Sequence, residues 1–190
     1  MADFDQVSLS RERLVNAAFL QLEKDGLDGL SMRRLAARLR VQAPALYWHI
    51  SGKSELLGMM AGDIYAKAYA AVPATANWQE WLKLLGHALR ASFGSHRDGA
   101  RLCSVASPAA PSDPAEHARR ISAPLVNLGL PEDQALAFQA TVISYTLGWA
   151  ASEANGSMRD FLQRMMNFDA TFATGLEALV SGLEARHRSI

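Results

Sequence analysis

Apolar positions recur three and four residues apart along nearly the whole chain and nothing after Trp78 reads as strand, so the pattern predicts helices throughout. Between Ser10 and Asp25 they fall at Leu14, Ala17, Ala18, Leu20 and Leu22, with Val15 and Phe19 widening the stripe. Ser10 suits an N-cap, and Gly26 and Gly29 stop the helix. Ser31 opens a second helix whose inner face is Leu35, Ala36 and Leu39. A third is short, roughly Pro44 to His49, with Pro44 in a first turn where the missing N–H costs nothing. A fourth starts near Ser51–Glu55, capped by Ser51 or Ser54, and carries Leu56, Leu57, Met60, Ile64 and Ala68. The run Val72-Pro-Ala-Thr-Ala76 ends it. That break is the expected boundary between a head, residues 1–72, and a body, residues 73–190.

In the body the pattern predicts a helix from Trp78 to Phe93, a Gly/Ser/Pro-punctuated middle from Gly94 to Pro114, and three longer helices. Glu132 to Glu153 is apolar on almost every side, which predicts burial all round. Phe161, Met165, Phe168, Phe172, Leu176, Leu179 and Leu183 then read as the stripe of one last helix. The fold class is therefore all-α: a three-helix head and a helical body, without internal repeats.

Composition changes this picture little. Half the residues are apolar (49%), enough for a sizeable core, and 19 basic residues balance 19 acidic ones. Neutrality overall does not exclude an anionic partner, because Arg33, Arg34, Arg38, Arg40 and Lys53 crowd one segment while Glu132, Asp133, Glu153, Asp160 and Asp169 lie far downstream. The single Cys103 excludes an intramolecular disulfide and suits a reducing compartment. No apolar run approaches the roughly 20 residues of a membrane span. Met1 to Ser10 lacks the regions of a signal peptide, so a cytoplasmic protein is expected.

The segment Leu30 to Lys53 carries the chemistry. Two short helices joined by a tight turn, dense in cationic, aromatic and amide side chains, are what a helix-turn-helix reader of DNA requires. Gln42 and Arg33 have the hydrogen-bonding forks for adenine and guanine edges, while Ala43, Pro44 and Ala45 offer apolar contact suited to a thymine methyl. Tyr47, Trp48, His49 and Lys53 can reach the sugar-phosphate backbone, Lys53 aided by the positive end of the next helix. Tyr47 and Trp48 could instead fill the head's core, but neighbours on a helix point about 100° apart, so at most one should be fully buried.

Gly29-Leu-Ser-Met-Arg-Arg-Leu-Ala36, Pro44-Ala-Leu-Tyr-Trp-His-Ile50 and Lys53-Ser-Glu-Leu-Leu57 resemble, at near-identical spacing, the head of the tetracycline-repressor (TetR) family of bacterial transcription factors. The similarity covers roughly Leu9 to Asp63, with weaker echoes at Trp78-Gln-Glu-Trp81, Arg97-Asp-Gly-Ala100 and Gly175-Leu-Glu-Ala-Leu179. It implies a homodimer on a palindromic double-stranded operator, released by a small-molecule effector, with no catalytic role, membrane contact or resident cofactor. Arg33, Pro44, Tyr47, Trp48, His49 and Lys53 fall where the family touches its operator. Met32, Ala43 and Ala45 stand where tetracycline repressors carry polar groups, which implies a different operator.

For the body, the resemblance implies an effector pocket, expected at Tyr69, Leu85, Leu89 and Phe93 and at Cys103, Phe138, Val142 and Tyr145. The same aromatics could equally be plain core. Cys103 stands where tetracycline repressors place a magnesium-binding histidine, and no two histidines share a metal-ligand spacing of three to five residues, so no metal is expected and magnesium-tetracycline is disfavoured. A four-helix interface between subunits is expected from Ile143 and Leu147 together with Phe168, Phe172, Leu176, Leu179 and Leu183. Two rivals remain: a helical interaction protein with a silent head, and an enzyme using the body. The second lacks a metal cluster, nucleophile elbow or phosphate loop.

Overall fold

The computed structural model describes residues 9–106 and 113–189, and among them every regular element is helical. Part of the expected punctuated middle, most of the leading segment and the final residue lie outside these limits. Four helices make the head and its connection: α1 (Arg11–Gly29), α2 (Met32–Leu39), α3 (Ala43–Leu46) and α4 (Lys53–Ala70). Ser10 Oγ accepts the Arg13 N–H at 3.2 Å, and Ser31 Oγ accepts that of Arg34 at 3.3 Å, so both predicted caps are occupied. The N-cap of α4 is instead Gly52. Ser51 is drawn off because its N–H and Oγ both donate to Glu55 Oε2, at 2.7 and 2.8 Å, and Ser54 already lies inside the helix. Leu14, Leu22, Leu35, Leu46 and Leu56 form the head's interior.

Six helices make the body: α5 (Trp78–Gly94), α6 (Gly99–Val105), α7 (Pro114–Val126), α8 (Glu132–Ala154), α9 (Gly156–Gln163) and α10 (Phe168–His187). α5 is the central post, packed against α4, α8 and α10. Gly86 lets α10 close in: a Cβ there would sit 2.6 Å from Leu176 Cδ2. Arg90 pins the same three-helix corner, donating from Nε to Glu153 at 2.9 Å and from Nη2 to Asp169 at 2.7 Å while its guanidinium covers the Phe172 ring.

Three sequence expectations need correction. The punctuated middle holds a helix, α6, short enough to be hidden by the glycines around it. The last stripe belongs to two helices, because Asn155 and Asn167 cap α9 and α10 separately and leave Phe161 and Met165 on the surface. α8 is not buried all round: Ala140, Ser144, Gly148 and Ala151 face outward, and their apolar count came from side chains too small to demand burial. Among the described residues no helix is long and apolar enough to cross a membrane.

Candidate DNA-binding face and effector cavity

α2 and α3 meet through a turn at Arg40, which takes the left-handed conformation (φ 57°) that closes α2. α3 is a single turn. The predicted extension to His49 exists only as turns, in which the His49 and Ile50 N–H groups both reach the Leu46 carbonyl at 3.0 and 3.1 Å. Leu46 is fully buried and anchors this unit, which forces its neighbours outward. Gln42 and Pro44 are exposed, Tyr47 is 53% exposed and Trp48 is 87% exposed, while Ala43, Ala45 and His49 are half-buried. Neither aromatic fills the core.

The cations divide into two kinds. Arg34 turns back to Asp25 (3.3 Å) and the Gly29 carbonyl, and Arg11 holds the His49 carbonyl (3.1 Å) and Glu55 (2.5 Å), so both brace the head. Arg33, Arg38, Arg40 and Lys53 are exposed and form no ion pair among the described residues. A surface with unneutralised cations, a free amide at Gln42 and two uncovered aromatic rings is fitted to a polyanion with readable edges.

The body contains a cavity of about 580 Å³ with one wall on α4 and another on α7. Its α4 wall is Gly62, Tyr65, Ala66 and Tyr69, and its α7 wall is His117, Arg120, Ile121 and Pro124. Each is a helical face at i, i+3, i+4 and i+7. Cys103 from α6 and Ile143 from α8 complete it. Burial raises the phenols of Tyr65 and Tyr69 and the thiol of Cys103 each to about 12, so all three stay protonated near neutrality. The Tyr69 hydroxyl donates to Gln139 Oε1 at 2.8 Å, and Gln139 Nε2 donates to the Ile121 carbonyl at 3.2 Å, tying α4, α8 and α7 together.

Of the expected pocket residues, Tyr69 and Cys103 border this cavity; Leu85, Leu89, Phe93, Phe138 and Val142 are buried in the core away from it. Tyr145 is turned toward α10, stacking on Phe172 and donating to its carbonyl at 3.0 Å. Ile143, expected at the subunit seam, lines the cavity. Phe168, Phe172 and Leu176 are buried within this chain, whereas Leu147, Leu179 and Leu183 are half-buried. Sequence reasoning missed Tyr65, His117 and Arg120, although the spacing of each wall was there to be read.

Head and cavity meet at α6. Asp98 precedes it in a left-handed conformation (φ 56°) and accepts the Leu27 N–H of α1 at 2.8 Å. Gly26 (φ 70°) permits this contact, since a Cβ there would lie 2.9 Å from Asp98 Oδ2. Arg101 of α6 forks onto Asp28 at 2.7 and 2.8 Å, and that pair holds the Asp28 carboxyl below its usual range. Arg97 donates to the Lys24 carbonyl at 2.9 Å.

Residues 14–60 match the family model described as bacterial regulatory proteins, tetR family, and residues 72–164 match the tetracyclin repressor-like C-terminal domain. The class E tetracycline repressor of Escherichia coli is 32% identical, over 94% of this chain and 92% of its own length. The chain belongs to the TetR family. Among solved TetR-like structures, Streptomyces coelicolor ActR in complex with (S)-DNPA superposes with a TM-score of 0.75 at 26% identity, covering 93% of this chain and 98% of ActR. BioQ bound to its double-stranded DNA operator gives 0.67 at 33% identity, covering 94% of this chain and 99% of BioQ. Membership makes the protein a ligand-responsive, DNA-binding transcriptional regulator and not an enzyme. TetR homologues bind operators and small-molecule effectors, and the family dimerises.

Proposed function

We propose that this protein is a repressor that binds a palindromic operator as a homodimer and lets go when a largely apolar, metal-free effector enters the α4/α7 cavity. Residues 1–72 carry the DNA-reading head and, through α4, one wall of the sensing cavity, while residues 73–190 supply the rest of the cavity and the dimerisation surface. Arg33 and Gln42 read base edges, Ala43, Pro44 and Ala45 pack on methyl groups, and Tyr47, Trp48, His49 and Lys53 hold the backbone. The observation that carries the reading is the exposure of Trp48 beside unpaired cations, since a ring left 87% in water has no role in the fold.

An effector other than magnesium-tetracycline is supported by the cavity's chemistry. The resemblance puts Cys103, whose buried thiol stays protonated, where tetracycline repressors carry a magnesium-binding histidine. α6 offers the physical route to the head: Cys103 borders the cavity while Asp98 and Arg101, on the same short helix and its cap, grip α1. A ligand that prefers a shifted α6 lowers operator affinity by its difference in affinity for the two arrangements. Across the dimer, the outward small residues of α8 and α10, Ala140, Ser144, Gly148, Ala178 and Gly182, flanked by Leu147, Leu179 and Leu183, allow close helix approach.

Selection from random duplexes followed by fluorescence anisotropy tests this. The expected result is an inverted repeat bound with a steep salt dependence. Absence of any salt-sensitive DNA binding would sink the proposal and favour an interaction protein with a silent head.

A further inference from the structure

The polar groups of the cavity come from Tyr65, Tyr69, Cys103, His117 and Arg120. Its wall is mainly apolar and carries no carboxylate among the described residues, while Tyr65, Cys103 and Arg120 present a phenol, a thiol and a guanidinium. Arg120 stands at the solvent-exposed rim of the cavity and forms no ion pair among the described residues; its hydrogen-bonded partner among them is His117, whose Nδ1 lies 3.0 Å from Nη2. Arginine can only donate, so His117 accepts through Nδ1 and does not neutralise the charge. The Tyr65 hydroxyl has no hydrogen-bond partner among the described residues, in contrast to Tyr69, which is committed to Gln139. Burial keeps Tyr65 a neutral donor.

At the rim of a cavity with an apolar wall, a guanidinium without a carboxylate partner offers an acidic group a charge-assisted hydrogen bond while the wall takes an apolar body. A neutral hydrocarbon would fill the volume but use neither Arg120 nor the Tyr65 hydroxyl. We propose that the effector is an amphiphilic organic anion, an apolar body lying between α4 and α7 with its acidic group on Arg120 and a further acceptor at Tyr65. This rests on the effector-cavity reading above, and narrows it to one ligand class.

Two environment-sensitive dyes with the same body supply the test: 8-anilinonaphthalene-1-sulfonate, an anion, and N-phenyl-1-naphthylamine, its neutral counterpart. In titrations of the full-length protein the anion is expected to bind about ten times tighter than the neutral dye, as one charge-assisted contact requires. Arg120→Gln should erase that ratio while leaving the neutral dye unchanged, and Arg120→Lys should keep most of it. Ala66→Trp, which fills the cavity, should abolish binding of both. Equal affinities in the parent protein, an Arg120→Gln variant that weakens both dyes alike, or dye binding that survives Ala66→Trp would overturn the proposal. Operator displacement, followed in parallel, separates the two readings: charge preference without displacement leaves the ligand class standing and removes the link to DNA, and displacement without charge preference does the reverse.

Discussion

The head and the body of this protein bury their apolar residues by the same helical periodicity, yet they expose very different information. In the head, the residues proposed to meet DNA point away from the core, and their chemistry marks them: Trp48, Tyr47, Gln42 and Arg33 are all exposed. In the body, core, cavity and subunit surface all draw on apolar or small residues at the same spacing. Phe172 and Leu179 belong to one stripe in sequence, but the first is sealed by its own chain and the second is half-buried.

The most direct way to break this comparison is to charge the two sides of α10. Phe172→Asp should cost about 3–5 kcal/mol and destabilise the body, because it removes a fully buried ring packed on Tyr145 and Trp149 and puts a polar group into the core between α5 and α8. Ala178→Glu on the outward side should leave the melting curve of the folded chain nearly intact and yield monomers by sedimentation. Should both variants simply dissociate, Phe172 is at the seam after all.

On the head, Arg33→Ala is expected to weaken operator binding by about 1–3 kcal/mol and to relax sequence preference, with an unchanged melting temperature. Loss of affinity that is uniform over all sequences would assign Arg33 to phosphate instead. Within the body, Tyr69→Phe should cost about 1–2 kcal/mol in thermal unfolding, since Gln139 Oε1 would be left buried and unpaired. No such loss would mean that water replaces the phenol.

The smallest effect is expected in acid. Asp28, chiefly through Arg101, and Glu55, chiefly through Ser51, both have carboxyls held below their ordinary values. A depressed folded-state value means the contribution is fully present above the unfolded values, near 3.8 and 4.5, and is lost as pH falls through the lowered ones. Denaturation midpoints followed from pH 6 to about 3 should show this fall, and Asp28→Asn should remove part of it. Asp28 is exposed and Glu55 only half-buried, so salt should shrink the effect, most of all at Asp28.

Much of the head was legible because its signals are local. Ser10 and Ser31 cap within three residues, and Pro44 and Leu46 set α3 without help from distant chain. The capping of α4 was missed because Glu55 outcompetes the helix for Ser51, a choice between two local partners that composition does not rank. In the body α5, α7 and α8 were foreseeable, but α6, the break between α9 and α10, and the partners of each helix were not. The α7 face at His117, Arg120, Ile121 and Pro124 shows helical spacing, but nothing in it says that the space opposite is empty.

By itself the sequence determined that this is an all-helical regulator with a DNA-reading head, since capping, turn chemistry and the placement of polar residues act over a few positions. Tertiary structure alone decided which faces are spent inside the chain. Ile143 went to the cavity, Phe172 to the core and Arg90 to an ion pair joining three helices, because packing depends on what each face meets and periodicity records only that a face exists.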